Sequence, residues 1–193
     1  MEVLPFGYDE RWFPLTLPTG PKRQGVAFLG TWSPRRERYL SALQGLPLIV
    51  RGTGWERSKM TSGPPLTEGD AGAILRRSCI GVNLLHPQNV GSHNMRTREI
   101  AASGALELTD PGTDGTQLRP GESCVWFKTP EELRDRAIWF LDRPADAQRI
   151  AARAQDLIAP DTYVHRGEAI GRLIAEVVDE ARKSELARKT RFQ

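Results

Sequence analysis

The residues with the clearest chemical potential lie between Asn94 and Asp110. This segment is typical of a short helix that begins at a polar cap, carries Arg96 and Glu99 near its start and ends at Gly104, with an apolar strand directly after it. The free backbone N–H groups of a helix start bind phosphate, and an ionised carboxylate accepts hydrogen bonds from both hydroxyls of a ribose. The combination indicates a nucleotide or nucleotide-sugar site.

Glu99 also fits a purely structural role. An exposed helix glutamate can pair with the arginines beside it, which is worth about 0.3–0.5 kcal/mol. His93 and Asn94 add polar groups at the same helix start, and the loop before them begins at His86. The residues alone leave both roles of Glu99 open.

A second candidate loop runs from Gly30 to Arg36, directly after an apolar run that ends at Leu29. It does not match G-x-G-x-x-G, and no segment of the chain matches a P-loop, which argues against dinucleotide cofactors and ATP hydrolysis. Gly30 permits close backbone approach, and the arginines can bind a diphosphate bidentately. A plain turn with solvated arginines is the alternative. Trp32 and Trp55 follow strands and could stack on a base or a sugar, although a structural role is the simpler explanation.

The elements that must position these residues alternate along the chain. Apolar runs predict strands at 26–29, 46–50, 80–85, 105–109 and 124–127. Capping signals and periodicity predict helices at 34–44, 68–78, after Asn94, and at 130–142, 144–158 and 163–187. This alternation predicts an α/β fold, a Rossmann-like doubly wound parallel sheet with helices on both faces and further helices at the C-terminal end. Ligands are expected at the carboxyl ends of the strands.

Three regions are expected along the chain. Residues 1–24 are rich in proline and aromatic side chains, which predicts an extended segment lying over a surface. Residues 25–181 form the predicted domain, and residues 182–193 form a basic, polar tail with a solvated end.

Composition narrows the class of protein. The net charge of +3 is compatible with a polyphosphate ligand and too weak to argue for nucleic acid. Cys79 and Cys124 are expected to be buried free thiols in a reducing cytosol. No apolar run approaches the roughly 18 residues of a membrane span, and no signal pattern opens the chain, which predicts a cytoplasmic protein. The three histidines, His86, His93 and His165, lack metal-ligand spacing, so no metal site is expected, and no nucleophile elbow is present.

Five segments in order resemble a known family. They are 4–14, 26–36, 83–85 with 93–104, 131–133 and 162–166. Together they resemble the C-terminal, donor-binding half of GT-B glycosyltransferases, and in detail the CgeB-type (spore maturation protein-like) group. The similarity covers nearly the whole chain.

The resemblance implies a Rossmann-like domain that holds a nucleoside diphosphate sugar as donor substrate, with no further cofactor. Glu99 would anchor the ribose, Arg96 and Arg36 would neutralise the diphosphate, and Asn94 would cap its helix and contact a phosphate. The nucleotide-sugar contacts it implies are Gly30, Thr31, Trp32, Arg36, Asn83, His93, Asn94, Arg96, Thr97 and Glu99. Related enzymes generally need no bound metal, because arginines and a helix N-terminus stabilise the leaving diphosphate.

Two positions depart from the family pattern. Arg98 stands where the family usually has an aromatic residue, and Gly91 stands where many related transferases carry a second acidic residue. The sequence also begins at the segment that resembles the crossover between the two halves. The acceptor domain, with the catalytic base, is therefore expected elsewhere, in a longer protein or in a separate chain, unless this half works alone.

The predicted function is that of a glycosyltransferase donor-binding domain, which transfers a sugar to an unidentified acceptor. The alternative is a non-catalytic nucleotide-sugar-binding or partner-binding subunit of a split transferase, which an exposed apolar patch around Phe6, Tyr8, Trp12 and Phe13 would favour. Weaker alternatives are a sugar-nucleotide epimerase or phosphorylase, and a DNA-modifying transferase suggested by the basic tail.

Overall fold

A single parallel sheet forms the centre of the molecule. The computed structural model describes residues 6–15, 25–89, 93–112 and 118–190. The strands are β1 Val26–Leu29, β2 Leu48–Arg51, β3 Ile80–Asn83, β4 Leu106–Thr109 and β5 Val125–Trp126. They pair in the order β2–β1–β3–β4–β5, all parallel. Because the direction of winding reverses between β1 and β3, the fold opens a ligand crevice at the carboxyl ends of these two strands.

The helices connect these strands and cover both faces of the sheet. They are α1 Pro34–Ser41, α2 Glu68–Arg77, α3 Met95–Ala102, α4 Pro130–Leu141, α5 Pro144–Ile158 and α6 Tyr163–Thr190. One apolar cluster joins the sheet to α1 and α4, and a second joins it to α2, α3 and α5. All residues of β1, β3 and β4 are buried, as expected for strands covered on both sides. The predicted doubly wound α/β architecture is confirmed.

Gly81 sets the height of α3 above the sheet. A Cβ atom at this position of β3 would lie 2.8 Å from Cγ2 of Ile100, which is fully buried. The missing side chain therefore lets α3 pack closely on β3. This contact places the start of α3 beside the carboxyl end of β3.

The described part of the N-terminal segment, residues 6–15, lies over the domain's own surface. Tyr8 N–H donates to the carbonyl of Asp161 at 3.0 Å, and Tyr163 N–H donates back to Tyr8 at 3.0 Å. Tyr8 and Phe13 are buried in the second cluster. Only part of the predicted apolar patch is thus exposed, namely Phe6 and Trp12.

Several element bounds differ from the sequence prediction. α1 ends at Ser41 and turns follow it, and β2 begins at Leu48 because Pro47 has no N–H for the ladder. β3 ends at Asn83, since the next backbone groups bond outside the sheet. α6 continues to Thr190, so residues 182–190 of the predicted tail are helical. None of the helices in the described ranges is long and apolar enough to cross a membrane.

Candidate functional site

Arg36 bridges the carboxyl ends of β1 and β3. Its Nη1 donates to the carbonyl of Thr31 at 2.8 Å and its Nη2 to that of Leu84 at 2.9 Å. Burial, followed by repulsion from Arg35 and Arg96, lowers the pKa of Arg36. Within the described part of the chain, Arg36 bonds to carbonyls and makes no ion pair, and Asp110 attracts it only from a distance. Its charge is therefore available to an anion.

Arg35 is already neutralised by the fold. Its Nη2 lies 2.5 Å from Oδ1 of Asp110, which follows β4, and Asp110 also accepts from the N–H of Leu85 at 2.8 Å. This pair ties the first turn of α1 to the ends of β3 and β4. A cleft of about 360 Å³ beside it is lined by Arg35, Leu85, Pro87, Asp110, Pro111 and Lys128. Of the two neighbouring arginines, Arg36 is the one that a phosphate can use.

Arg96 and Glu99 form an ion pair on α3, with Nη1 of Arg96 2.5 Å from Oε2 of Glu99. The Glu99 side chain is only 13% exposed, so the interpretation of Glu99 as an exposed helix residue is wrong, although the expected pairing with an arginine is present. Burial raises the pKa of Glu99, and the charge of Arg96 partly opposes this. The ion pair therefore holds a buried carboxylate in one place.

Asn83 and Thr97, both predicted as ligand contacts, lie beneath the site. Both are almost fully buried. Nδ2 of Asn83 lies 3.0 Å from Oδ1 of Asn94, 3.1 Å from Oγ1 of Thr97 and 2.9 Å from Oε1 of Glu107, and its two hydrogens are shared among these three acceptors. These side chains support the start of α3 from below and do not line the crevice.

Asn94 occupies the position before the first residue of α3, as predicted. The prediction that its side chain caps the helix is wrong, because that side chain makes no hydrogen bond to the helix amides. It pairs with Asn83 instead. The amides at the start of α3 therefore remain free of a side-chain cap.

The first loop is packed from behind by aromatic side chains. Trp55 is buried, and its Nε1 donates to the carbonyl of Gly30 at 2.8 Å, so the prediction that Trp55 could stack on a ligand is wrong. Trp32 is partly buried, and its Nε1 donates to Oε2 of Glu37 at 2.7 Å. Thr31 is exposed at the crevice, with its hydroxyl 3.3 Å from that of Thr53.

The carbonyl group of Gly30 lies very close to the backbone of Gly52, in the loop after β2. A Cβ atom at Gly52, whose φ is +146°, would lie 2.1 Å from the carbonyl oxygen of Gly30. The two loops after β1 and β2 can approach each other in this way only because Gly52 carries no side chain. The close backbone approach observed at Gly30 is therefore one between these two loops of the protein.

The remaining predicted residues have structural surroundings. His93 is mostly buried and packs against the loop after β4. Its Cε1 lies only 2.7 Å from the point that a Cβ atom at Gly112 would occupy. Cys79 and Cys124 are buried and belong to no disulfide among the described residues, and burial raises the pKa of Cys124 to about 12. Gly91 lies outside the described residues.

Sequence reasoning missed Glu107, a buried carboxyl group at the centre of β4. The signal was a single acidic residue between Leu106 and Leu108 in an apolar strand. Burial raises its pKa, and the hydrogen bond from Asn83 opposes the shift. The folded protein therefore retains a proton here that the unfolded chain releases at lower pH.

The Glu107→Gln variant is expected to gain stability relative to the wild type as the pH rises. The contribution of Glu107 to stability is complete below its ordinary pKa of 4.5 and is lost as the pH rises through its higher folded-state value. Glutamine keeps the acceptor for Asn83 and has no proton to lose. Urea unfolding from about pH 5 to about pH 8 tests this, and a constant difference between the two proteins would contradict it.

Arg98, where the family pattern has an aromatic residue, is buried in an ion pair. Its Nε lies 3.2 Å from Oδ2 of Asp161, and Arg166 pairs with the other oxygen of the same carboxylate. The carboxylate thus joins α3 to the start of α6. Arg98, which departs from the pattern of the family that the sequence resembles, therefore has a structural role.

Replacing Asp161 with asparagine is expected to destabilise the protein by about 3 kcal/mol, because it leaves two largely buried guanidinium groups without a counter-charge. The midpoint of urea unfolding measures this loss. Asp156→Asn, on the exposed face of α5, is the matched control and should have almost no effect. Equal effects of the two substitutions would show that the Asp161 ion pairs contribute little.

A family model matches the chain over residues 35–172, which is more than half of its length, and describes a glycosyl transferase-like family. The chain belongs to this family. A search of curated protein sequences gives no match. The family model covers α1 through the first turns of α6 and therefore includes Arg36, Arg96 and Glu99.

Solved structures of glycosyltransferases share the fold. The glycosyltransferase-like domain superposes on sucrose-phosphate synthase of Thermosynechococcus elongatus with a TM-score of 0.72 at 16% identity, covering 93% of this chain and 53% of that one. HepE of Anabaena, solved in complex with UDP and glucose, gives 0.68 at 13% identity, covering 90% and 55%. The chain thus spans about half the length of these two structures.

The structure of an isolated C-terminal domain shows which half of a glycosyltransferase this chain is similar to. The C-terminal domain of the group 1 glycosyl transferase LpcC of Francisella tularensis gives a TM-score of 0.60 at 14% identity, and 79% of this chain covers 97% of it. The glycosyltransferase-like domain therefore has the architecture of the C-terminal half of a GT-B fold, as predicted.

Proposed function

We propose that this glycosyltransferase-like domain binds a nucleoside diphosphate sugar and serves as the donor half of a transferase. The observation that carries the proposal is the pair of arginines at the reversal point of the sheet. Arg36 bonds only to backbone carbonyls, interacts electrostatically with Arg96 across the ends of β1 and β3, and lies beside the uncapped start of α3. Arg36, which makes no ion pair in the described structure, and the uncapped helix start thus supply positive potential at one place, and Arg96 adds to it although it shares its charge with Glu99.

Each group has a role in this proposal. Arg36 and Arg96 bind the diphosphate, and the N–H groups at the start of α3 donate hydrogen bonds to its phosphate oxygens. Glu99, one turn into the helix, accepts hydrogen bonds from the ribose hydroxyls. The same positive groups stabilise the diphosphate as it leaves the sugar, which is where charge develops in the reaction.

We propose further that donor binding needs no metal ion and that the protein acts in a particular compartment. Because the arginines and the helix start supply positive charge, binding should be independent of a divalent cation, and titration in the presence of a chelator tests this. The phage enzyme BGT, which shares the fold with a TM-score of 0.62, was solved with UDP and Mn²⁺, so the chelator arm is informative. We also propose that this chain is of the CgeB type and that it acts in the cytoplasm.

The acceptor half is proposed to lie outside this sequence, in the same protein or in a separate chain. The chain covers only 53% and 55% of the two transferases with the highest TM-scores above. GT-B enzymes that resemble this chain close their site between two halves, so the acceptor and the catalytic base would come from the other half.

Calorimetric titration with UDP, GDP and the corresponding monophosphates tests the proposed function. We expect one diphosphate to bind, and its monophosphate to bind about tenfold more weakly, because it lacks the second phosphate that the arginines contact. Absence of binding by both diphosphates, or equal binding of the monophosphate, would contradict the proposal.

A non-catalytic subunit of a split transferase is the second candidate, and the surface of α6 favours it. Ile170, Ile174 and Val177 are exposed at helical spacing on one stripe. A partner chain could cover this stripe. Sugar transfer in the presence of the second chain that is lost when Arg36 or Glu99 is replaced would favour the first candidate. Transfer that survives both substitutions would favour this one.

A further inference from the structure

Asn94 is an N-cap residue whose side chain is turned away from its helix. Its backbone is extended, with φ −119° and ψ 175°, and asparagine is among the strongest capping residues. At the equivalent position of α1, Ser33 accepts from the N–H of Arg36, and before α4, Thr129 accepts from the N–H of Glu132. The amides within reach of such a cap belong to Arg96 and Thr97, and the Thr97 N–H already donates to the backbone carbonyl of Asn94 at 3.2 Å.

Asn83 holds the Asn94 side chain in this position. The two carboxamides pair reciprocally: Nδ2 of Asn83 donates to Oδ1 of Asn94 at 3.0 Å, and Nδ2 of Asn94 donates to Oδ1 of Asn83 at 3.3 Å. The pair engages the oxygen with which Asn94 would cap the helix. A local side-chain contact therefore competes with capping and replaces it.

Asn83 is itself fixed from the sheet side. It is 2% exposed, and its amide also donates to the carboxyl group of Glu107 on β4 and the hydroxyl of Thr97 on α3. Release of Asn94 would leave the buried Oδ1 of Asn83 without its donor, which disfavours that release. The hydrogen bonds thus run from β4 through β3 to the start of α3.

We propose that Asn83 is a positioning residue of the diphosphate site, which keeps the Asn94 side chain away from the start of α3 so that the Arg96 amide can bind the ligand. The proposal rests on the proposed function in that it places the diphosphate at the start of α3. Asn83 does not touch the ligand. It acts by suppressing a cap that would compete with the ligand for the same N–H group.

A double-mutant cycle on Asn83 and Asn94 tests the proposal, with inorganic pyrophosphate and UDP as the probes. In Asn83→Ala the Asn94 side chain is released and caps α3, so affinity for both probes should fall about fivefold, the factor that corresponds to a typical N-cap. In the Asn94→Ala background no side chain can cap the helix. There, Asn83→Ala should leave affinity unchanged.

The cycle separates positioning from general damage. A loss caused by disturbing the fold around Glu107 would appear in both backgrounds, and an equal loss in both would overturn the proposal, as would no loss in either. Asn83→Ser serves as the second variant should Asn83→Ala fold poorly, because serine keeps a hydroxyl donor and is too short to reach Asn94.

Amide hydrogen exchange detects capping of α3 by Asn94 in the absence of a ligand. Release of Asn94 should slow exchange at the Arg96 amide in Asn83→Ala and have no such effect in the double variant. Unchanged exchange would overturn the proposal even if affinity changed. Failure of the wild type to bind both probes would instead contradict the proposed function, and the exchange rates would still decide whether Asn83 suppresses the cap.

Discussion

Replacing Arg36 with glutamine should weaken binding of the nucleoside diphosphate by about 30-fold. A hydrogen bond from a charged donor contributes about 1.5–3 kcal/mol, and Arg36 makes no ion pair in the described structure. Calorimetry with the diphosphate that binds the wild type measures the loss. The monophosphate should lose less, because it presents less charge to the guanidinium.

Arg38→Gln is the matched control for Arg36→Gln. Arg38 lies on the same helix, is exposed, and faces the ring of Tyr39 at 6.0 Å. Both substitutions remove one positive charge, so a general effect of net charge would weaken binding equally. An equal loss in the two variants would contradict the placement of the diphosphate at Arg36. Melting temperatures should be compared as well, since Arg36 also bonds to the carbonyls of Thr31 and Leu84.

Replacing Glu99 with alanine should weaken binding of a ribonucleoside diphosphate about tenfold or more, and that of its 2′-deoxy analogue far less. The ionised carboxylate accepts from the ribose hydroxyls, and hydrogen bonds to a charged group contribute about 1.5–3 kcal/mol. The wild type should therefore prefer the ribonucleotide, and Glu99→Ala should lose that preference. Glu176→Gln, on the exposed surface of α6, is the control for the lost negative charge.

The pH dependence of binding gives an independent test of Glu99. Burial raises the pKa of Glu99 above its ordinary value of 4.5, so its ionised form is lost at a higher pH than usual as the solution is acidified. Affinity for the ribonucleotide should fall as the pH falls through this raised value. Persistence of the same pH dependence in Glu99→Ala would assign it to another group, such as the phosphate itself.

The architecture was predictable because its signals are local. Short apolar runs separated by helical segments of suitable length permit a parallel sheet with right-handed crossovers, and little else. The helix starts predicted at residues 34 and 130 are confirmed, and Ser33 and Thr129 cap these helices with a proline after each. The positions of Arg36, Arg96 and Glu99 followed from the same reasoning, since the carboxyl ends of neighbouring parallel strands meet at one edge.

Details that depend on pairing between distant segments were not predictable. Arg98 meets Asp161 across 63 residues of sequence, and no spacing rule connects them. Trp32 and Trp55 both follow strands, and only the packing against Phe28 shows that Trp55 belongs to the core. Asn94 has the sequence of a helix cap, and Asn83 on β3 prevents it from acting as one. Local propensity and tertiary contact disagree at this position, which lies at the candidate site.

The most direct test of the account is an amide NMR titration of the chain with UDP and GDP. We expect the diphosphate that binds to shift the backbone amides of Arg96 and Thr97 at the start of α3, and that of Thr31 after β1. The amides of the exposed turns of α6 should remain unchanged. Binding that leaves these three amides unshifted, or absence of binding by both diphosphates, would contradict the placement of a nucleotide-sugar site at the carboxyl ends of β1 and β3.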